Sequence, residues 1–91
     1  MTTIQITKIN DTLFEVTVVA VSSTVHQVSV EANYAQKLTG SRLNIEELLK
    51  KSFEFLLARE SNTSILSSFD LSVIARYFPE YEREIMHEYY L

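Results

Sequence analysis

Residues 44–60, Asn-Ile-Glu-Glu-Leu-Leu-Lys-Lys-Ser-Phe-Glu-Phe-Leu-Leu-Ala-Arg-Glu, decide the fold of this chain. At the helical spacing of 100° per residue, one apolar arc holds Ile45, Leu48, Leu49, Ser52, Phe53, Phe55, Leu56 and Leu57. The arc covers roughly 200°, whereas a stripe of about 100° serves one packing partner. We therefore predict an amphipathic helix over residues 44–60 that packs between two partners, a sheet and the C-terminal segment.

Polar residues and a glycine mark helix ends around this stretch. Asn44 is a favourable N-cap, and Glu47 three residues later completes a pair like a capping box. Upstream, residues 33–39 predict a short helix that Asn33 caps. Gly40, the single glycine of the chain, stands where a helix commonly ends in a left-handed conformation.

The first part of the chain alternates in the manner of strands. Residues 1–31 predict a three-stranded antiparallel β-meander, because β-branched residues alternate with polar ones and short turns follow each run. In the second strand, Phe14, Val16 and Val18 share the face expected to be buried. The opposite face carries Leu13, Val19 and Val21. A face open to water is normally polar, so we predict that the C-terminal segment or a second subunit covers it.

Residues 63–90 predict a C-terminal helical segment. We expect one or two helical turns around Ile65, then a helix over residues 71–78 capped by Asp70, and a last helix over residues 79–89. Most aromatic residues here are expected to pack on the main helix. Tyr89 and Tyr90 are less needed for a core and are candidate partner contacts, since tyrosine is favoured at interfaces.

The whole chain of 91 residues therefore predicts one α+β domain, residues 1–91. The expected architecture is a three-stranded antiparallel meander followed by a long amphipathic helix and short C-terminal helices packed on one face.

Composition removes several classes of function. The chain has no cysteine, which excludes disulfides and thiol chemistry, and its net charge is −4. Affinity for nucleic acid comes mainly from clustered Lys and Arg, so an acidic domain argues against it. The N-terminus shows no signal peptide pattern, and polar residues interrupt the longest uncharged stretch, residues 16–30. We expect a cytoplasmic protein that does not enter a membrane.

Few residues offer chemistry. Glu84 and His87 have the i,i+3 spacing of helix-borne metal ligands, but a single pair near a terminus is interpreted as surface residues. His26 lies within a strand and is interpreted as a buried partner of a backbone group. We assign no catalytic, cofactor-binding or metal-binding residues.

Residues 53–82 form a distinctive string, Phe-Glu-Phe-Leu-Leu-Ala-Arg-Glu-Ser-Asn-Thr-Ser-Ile-Leu-Ser-Ser-Phe-Asp-Leu-Ser-Val-Ile-Ala-Arg-Tyr-Phe-Pro-Glu-Tyr-Glu. The string resembles a small prokaryotic family of uncharacterised proteins, and the similarity extends back to Tyr34 and Gly40. This resemblance implies no activity or cofactor. In topology alone, the meander followed by a helix is similar to the small domains of HicB-type antitoxins, without their DNA-binding extension.

The same string contains charged residues that flank apolar ones. We hypothesise that Arg59, Glu60, Asp70 and Arg76 form an acid–base network, with Arg76 joined to Glu60 or Asp70. Such a network would lock the C-terminal helices onto the main helix.

The function predicted from these observations is a small non-enzymatic protein-interaction module that forms a homodimer. Its candidate interaction surface consists of Leu13, Val19, Val21, Tyr89 and Tyr90. The alternative is an antitoxin-like or nucleic-acid-linked regulator, which a contiguous basic patch of Lys37, Arg42, Lys50 and Lys51 would support. An enzyme would need a deep pocket that holds His26 with a carboxylate.

Overall fold

Four strands of the described chain form a sheet, which is one layer of the fold. The computed structural model describes residues 2–40, 42 and 44–90, so Met1 and Leu91, the ends of the predicted domain, lie outside the described residues. The strands are β1 (Thr3–Lys8), β2 (Leu13–Val19), β3 (Thr24–Ser29) and β4 (Ser68–Asp70). They are ordered β1-β2-β3-β4. The first three pair antiparallel, as the alternation predicted, and β4 runs parallel to β3.

Within the described residues, four α-helices form the second layer of this α+β fold. They are α1 (Ala32–Thr39), α2 (Ile45–Leu57), α3 (Ile74–Tyr77) and α4 (Tyr81–Tyr89). Two single turns of 3₁₀ helix, Asn62–Ser64 and Leu71–Val73, lie between α2 and α3.

The main helix α2 packs on two partners, as its wide arc predicted. Phe53 lies on the sheet side, with ring centroids 5.4 Å from His26 in β3 and 6.1 Å from Phe69 in β4. Phe55 lies on the other side, 5.9 Å from Phe78 and 5.2 Å from Tyr81. Because both rings are almost fully buried, the C-terminal segment is an integral layer of the core.

The predicted sheet of three strands is incomplete, because Ser68–Asp70 add a fourth. The Gln27 N–H donates to the Ser67 carbonyl at 2.8 Å, and Phe69 lies opposite Val28. The Ser29 hydroxyl donates to Asp70 at 2.7 Å. Three residues are too few for strand alternation to appear in a sequence, and the apolar residues around Ile65 suggested helix instead. The strand satisfies backbone groups that β3 would otherwise leave unpaired.

Several predicted element ends move by a few residues. Asn44 caps α2 by accepting from the Glu47 N–H at 3.0 Å, but the helix ends at Leu57, short of residue 60. Glu31 occupies the N-cap position of α1 and makes no side-chain cap, so Asn33 is not the cap. Gly40 follows α1 with the expected positive φ of 67°, but its ψ of −133° lies outside the left-handed helical region that the sequence predicted.

The core lies between the sheet and the helices. From the strands it takes the predicted face of β2, where Phe14, Val16 and Val18 are 0–2% exposed. From the helices it takes the arc of α2 together with α4 residues such as Tyr81 and Ile85. No described residue on the opposite face of the antiparallel strands is fully buried, so the helical layer covers one face only.

Candidate functional site

An apolar groove opens between the C-terminal end of α2 and the segment that follows it. Its volume is about 190 Å³. The residues that line it are Leu56, Glu60, Ser64, Ile65, Leu66, Phe69, Val73, Ile74, Tyr77 and Phe78. Leu66 is 48% exposed and Tyr77 is 67% exposed, so two large apolar side chains stand open to solvent beside a concave apolar surface.

Local structure explains why these side chains converge. The 3₁₀ turn at Asn62–Ser64 reverses the chain after α2, and Asn62 anchors the turn by donating to the Ser22 carbonyl at 2.6 Å. The chain then enters β4, which fixes Phe69 on the core face opposite Val28. Asp70 accepts from the Ser72 N–H at 3.1 Å and so starts the turn that leads into α3. The groove is therefore the space between α2, β4 and α3, which are connected by short turns that Asn62 and Asp70 stabilise.

Among the described residues that line the groove, Glu60 is the one with a side chain that carries a charge near neutral pH. Among the described residues, the ion pairs do not include Glu60. The nearby end of α2 carries the partial negative charge of a helix C-terminus. Both features favour a cationic group beside the apolar surface.

The structure does not join the four charged residues of the hypothesised network. Arg59 instead makes ion pairs to α4, with Nε 3.2 Å from Glu80 and Nη2 3.0 Å from Glu84. It also donates to the Phe55 carbonyl at 3.0 Å, and its guanidinium carbon lies 3.6 Å above the Phe55 ring. One arginine therefore ties α2 to α4, with an acidic pair that the sequence did not indicate as its partner.

The other members of the hypothesised network have separate surroundings. Asp70 accepts from Ser29 and Ser72. Burial would raise the pKa of Asp70, but these hydrogen bonds outweigh it and leave the pKa below its usual value. Arg76 is exposed, and no ion pair or side-chain hydrogen bond joins it to another of the described residues.

Of the two predicted tyrosine contacts, Tyr89 is a core residue. It is 7% exposed, and its hydroxyl donates to Glu47 at 3.2 Å. Burial, followed by the charge of Glu47, raises the pKa of Tyr89 to about 12. Tyr90 is 57% exposed, yet its hydroxyl donates to the Lys37 carbonyl at 3.0 Å and so fastens the end of α4 to α1. The interpretation of Tyr89 as a free contact fails because α4 turns this stripe inward.

The three apolar residues predicted on the outer sheet face do not form one patch. Leu13 is half-buried at the start of β2, Val19 is 37% exposed at its end, and Val21 is fully exposed beyond the strand. Polar residues lie between the two ends, and Gln27 donates to Glu15 at 3.3 Å across this face. The exposed Val25 beside Thr17 extends the patch at the Val19 end only.

His26 has the structural surroundings expected for it. Its side chain is 1% exposed, with Nδ1 2.7 Å from the Leu66 carbonyl and Nε2 2.8 Å from the Thr24 hydroxyl. Both ring nitrogens thus form hydrogen bonds with uncharged groups. The ring also joins β3 to Leu66, which lines the groove.

Some of the other charged residues singled out from the sequence form ion pairs within the chain. Lys37 pairs with Glu82 at 3.1 Å, and Lys51 pairs with Glu88 at 3.0 Å. Two of the four residues proposed for a basic patch therefore have their ammonium groups next to carboxylates of α4. Glu84 pairs with Arg59, as described above, and His87 is exposed. Within the described part of the chain, no group of three or more potential ligands is placed to hold a metal ion.

Leu66 and Tyr77 were not singled out as site residues from the sequence. Each fits a helical apolar spacing, which predicts burial on the main helix. In the structure β4 lies between them in the chain, and both side chains line the groove with about half or more of their surface exposed. One feature of the sequence could have indicated their exposure. Residues 63–90 contain more large apolar side chains than one face of α2 can cover.

Comparisons with protein-family models, curated proteins and solved structures gave no match. No helix among the described residues has the length and apolar character needed to span a bilayer.

Proposed function

We propose that this protein is a small non-enzymatic interaction module that binds a polypeptide partner at the apolar groove. The observation that carries the proposal is the exposure of Leu66 and Tyr77, which line a concave surface together with core residues such as Leu56 and Ile74. Exposed apolar surface is costly in water, and where it is contiguous it commonly marks a binding site.

The size of the groove favours a side chain over a metabolite. Pockets for drug-sized ligands typically measure about 300–1,000 Å³, whereas this groove holds about 190 Å³. One bulky Leu, Met or Phe side chain is of suitable size. Interfaces draw most of their binding energy from a few such anchors seated in well-packed pockets.

Charge narrows the class of partner further. Glu60 lines the groove, and the chain as a whole carries a net charge of −4. A Lys or Arg next to the apolar anchor would pair with Glu60, and long-range attraction would raise the association rate. The proposed partner segment is therefore apolar and basic.

The alternative of a nucleic-acid-linked regulator has less support. Lys37 and Lys51 face carboxylates of α4, so these ammonium groups are less available to neutralise phosphates. A cytoplasmic location and self-association complete the proposed function. The absence of cysteine suits the reducing cytoplasm.

Selection of peptides from a random displayed library tests the groove. We expect wild-type protein to enrich peptides with a large apolar residue beside Lys or Arg. The double variant Leu66→Glu/Tyr77→Glu should lose these peptides, and Glu60→Lys should weaken them about tenfold. Val25→Glu, which alters an equally exposed apolar residue on the sheet, is the matched control and should bind normally. Enrichment of acidic peptides, or equal binding by the groove variant, would refute the proposal.

A further inference from the structure

The two edges of the sheet differ in how they are protected. The β4 edge has only three residues, one of which, Phe69, lines the groove. The β1 edge has six residues, Thr3–Lys8, and no other described strand pairs with its outer side. Folded proteins usually protect such edges with prolines, bulges, charges or very short strands. Here the only charge is Lys8 at the far end of the strand.

The hydrogen-bond pattern shows which groups of β1 face outward. The Ile9 N–H donates to the Leu13 carbonyl at 2.9 Å, across from it in the β1–β2 register. Inward bonding recurs at every second residue of an antiparallel pair, so Thr3, Gln5 and Thr7 bond to β2. The backbone groups of Ile4, Ile6 and Lys8 therefore point to the open edge.

The same edge leaves apolar side chains incompletely covered. Ile4 and Ile6 lie on the core face of β1, but both are only half-buried. Their neighbours in β2, Val18 and Val16, are fully buried. The core is thus closed in the middle of the sheet and open along β1.

We propose that β1 pairs antiparallel with β1 of a second copy of this chain, forming one continuous sheet of eight strands. A two-fold axis perpendicular to the sheet places Ile6 opposite Ile6 of the second copy, and Ile4 opposite its Lys8. All three outward-facing residues then form hydrogen-bonded pairs, each exchanging two N–H···O bonds. The two Ile6 side chains meet on the core face and cover each other.

A second copy suits this edge because the interface is self-complementary, as a two-fold interface must be. The uncharged run Thr3–Thr7 meets itself, and the two Lys8 side chains lie at opposite ends of the paired strands. Since α2 packs against β1, the two-fold axis also brings both copies of α2 to the same face, where they enlarge the contact beyond the strands. This pairing gives the expected self-association a surface, so it rests on that part of the proposed function and not on the groove.

The proposed register also determines which side chains lie opposite each other on the outer face of the sheet, and charge variants can test this. Gln5 lies opposite Thr7 of the second copy, and both side chains are exposed and distant from the core. The double variant Gln5→Lys/Thr7→Lys puts like charges opposite each other twice, and should weaken the dimer about tenfold or more. The matched variant Gln5→Glu/Thr7→Lys puts opposite charges there and should bind at least as tightly as wild type.

Sedimentation equilibrium from micromolar to millimolar concentration gives the dissociation constants of the three proteins. In a sample mixing labelled and unlabelled wild-type chains, NMR should show an intermolecular contact between the Hα atoms of Gln5 and Thr7, because this pair is not hydrogen-bonded and its Cα atoms are close. A monomer at every concentration would overturn the pairing and the self-association together. A dimer that both variants leave unchanged would overturn the pairing alone. Peptide binding, measured on the same samples, decides the groove proposal separately.

Discussion

A buried pair of hydroxyl groups offers a sharp test of the packing between α2 and α4. Ser52 and Tyr81 are both 0% exposed, and their oxygens lie 2.7 Å apart. The Ser52 hydroxyl also donates to the Leu48 carbonyl at 2.7 Å. A serine has one proton to donate, so Tyr81 must be the donor to Ser52. The pair is thus a directed chain from Tyr81 through Ser52 to Leu48.

Because of this direction, removing the Ser52 hydroxyl and removing the Tyr81 hydroxyl should lower the unfolding free energy by different amounts. Ser52→Ala leaves the Tyr81 hydroxyl buried without an acceptor, which costs about 1–3 kcal/mol of unfolding free energy. Tyr81→Phe removes a neutral hydrogen bond, worth about 0.5–1.5 kcal/mol, and leaves Ser52 bonded to Leu48. The double variant has no stranded donor, so we expect it to lose only about as much as Tyr81→Phe. The sum of the two single effects should then exceed the effect of the double variant by about 1–3 kcal/mol, the whole effect of Ser52→Ala.

Urea unfolding followed by far-UV circular dichroism measures the free energies of all four proteins. Lys50→Ala, at an exposed position of the same helix, is the control for an alanine in α2 that removes no buried hydrogen bond. Equal m-values are required, so that the differences report stability and not a change in the unfolded state. Additive effects, or a Ser52→Ala variant more stable than Tyr81→Phe, would refute the assigned direction of the bond.

Three further predictions follow from charges and backbone geometry. The pKa of Asp70 is lower in the folded state than in the unfolded chain. Its stabilising effect is therefore present above pH about 4 and is lost as the pH falls through the pKa of the folded state. Asp70→Asn should reduce this loss of unfolding free energy at acid pH, which a series of denaturation curves at different pH values measures. Arg59→Ala should lower the unfolding free energy by about 1–2 kcal/mol, because it removes the ion pairs and the stacking on the Phe55 ring. Arg76→Ala is the control and should leave the unfolding free energy unchanged. Thermal melts of both variants check this. Gly40→Ala should cost about 1–3 kcal/mol because a φ of 67° with a ψ of −133° is strained for any residue with a Cβ, and chemical denaturation measures the loss.

The sequence predicts most reliably where one local pattern repeats. The apolar arc of α2 predicted its burial on two sides, and the alternation of Phe14, Val16 and Val18 predicted the buried face of β2. In each case many residues carry the same signal. Their burial is fixed by the geometry of the element itself.

What was missed depends on contacts between segments far apart in the chain. The strand β4 exists because Phe69 and Asp70 meet residues about forty positions earlier, in β3. Arg59 likewise finds its carboxylates more than twenty residues away. Such pairs leave no periodic pattern, and the choice of Glu80 and Glu84 over Asp70 follows from where α4 docks. The groove, which depends on β4, could not be predicted for the same reason.

The positions of the groove and of β1 have a joint consequence for binding. They lie at opposite edges of one sheet, because β1 and β4 are its two outer strands. A dimer paired through β1 therefore leaves both grooves open, at its two far ends. A partner that carries two apolar, basic segments could bind both at once, and the second contact would form at the effective concentration set by the linker between them. We expect a tandem peptide to bind the wild-type dimer at least tenfold more tightly than a single peptide, and to lose this advantage in Gln5→Lys/Thr7→Lys. Equal affinity for single and tandem peptides, at linker lengths that span the dimer, would show that the two grooves do not act together.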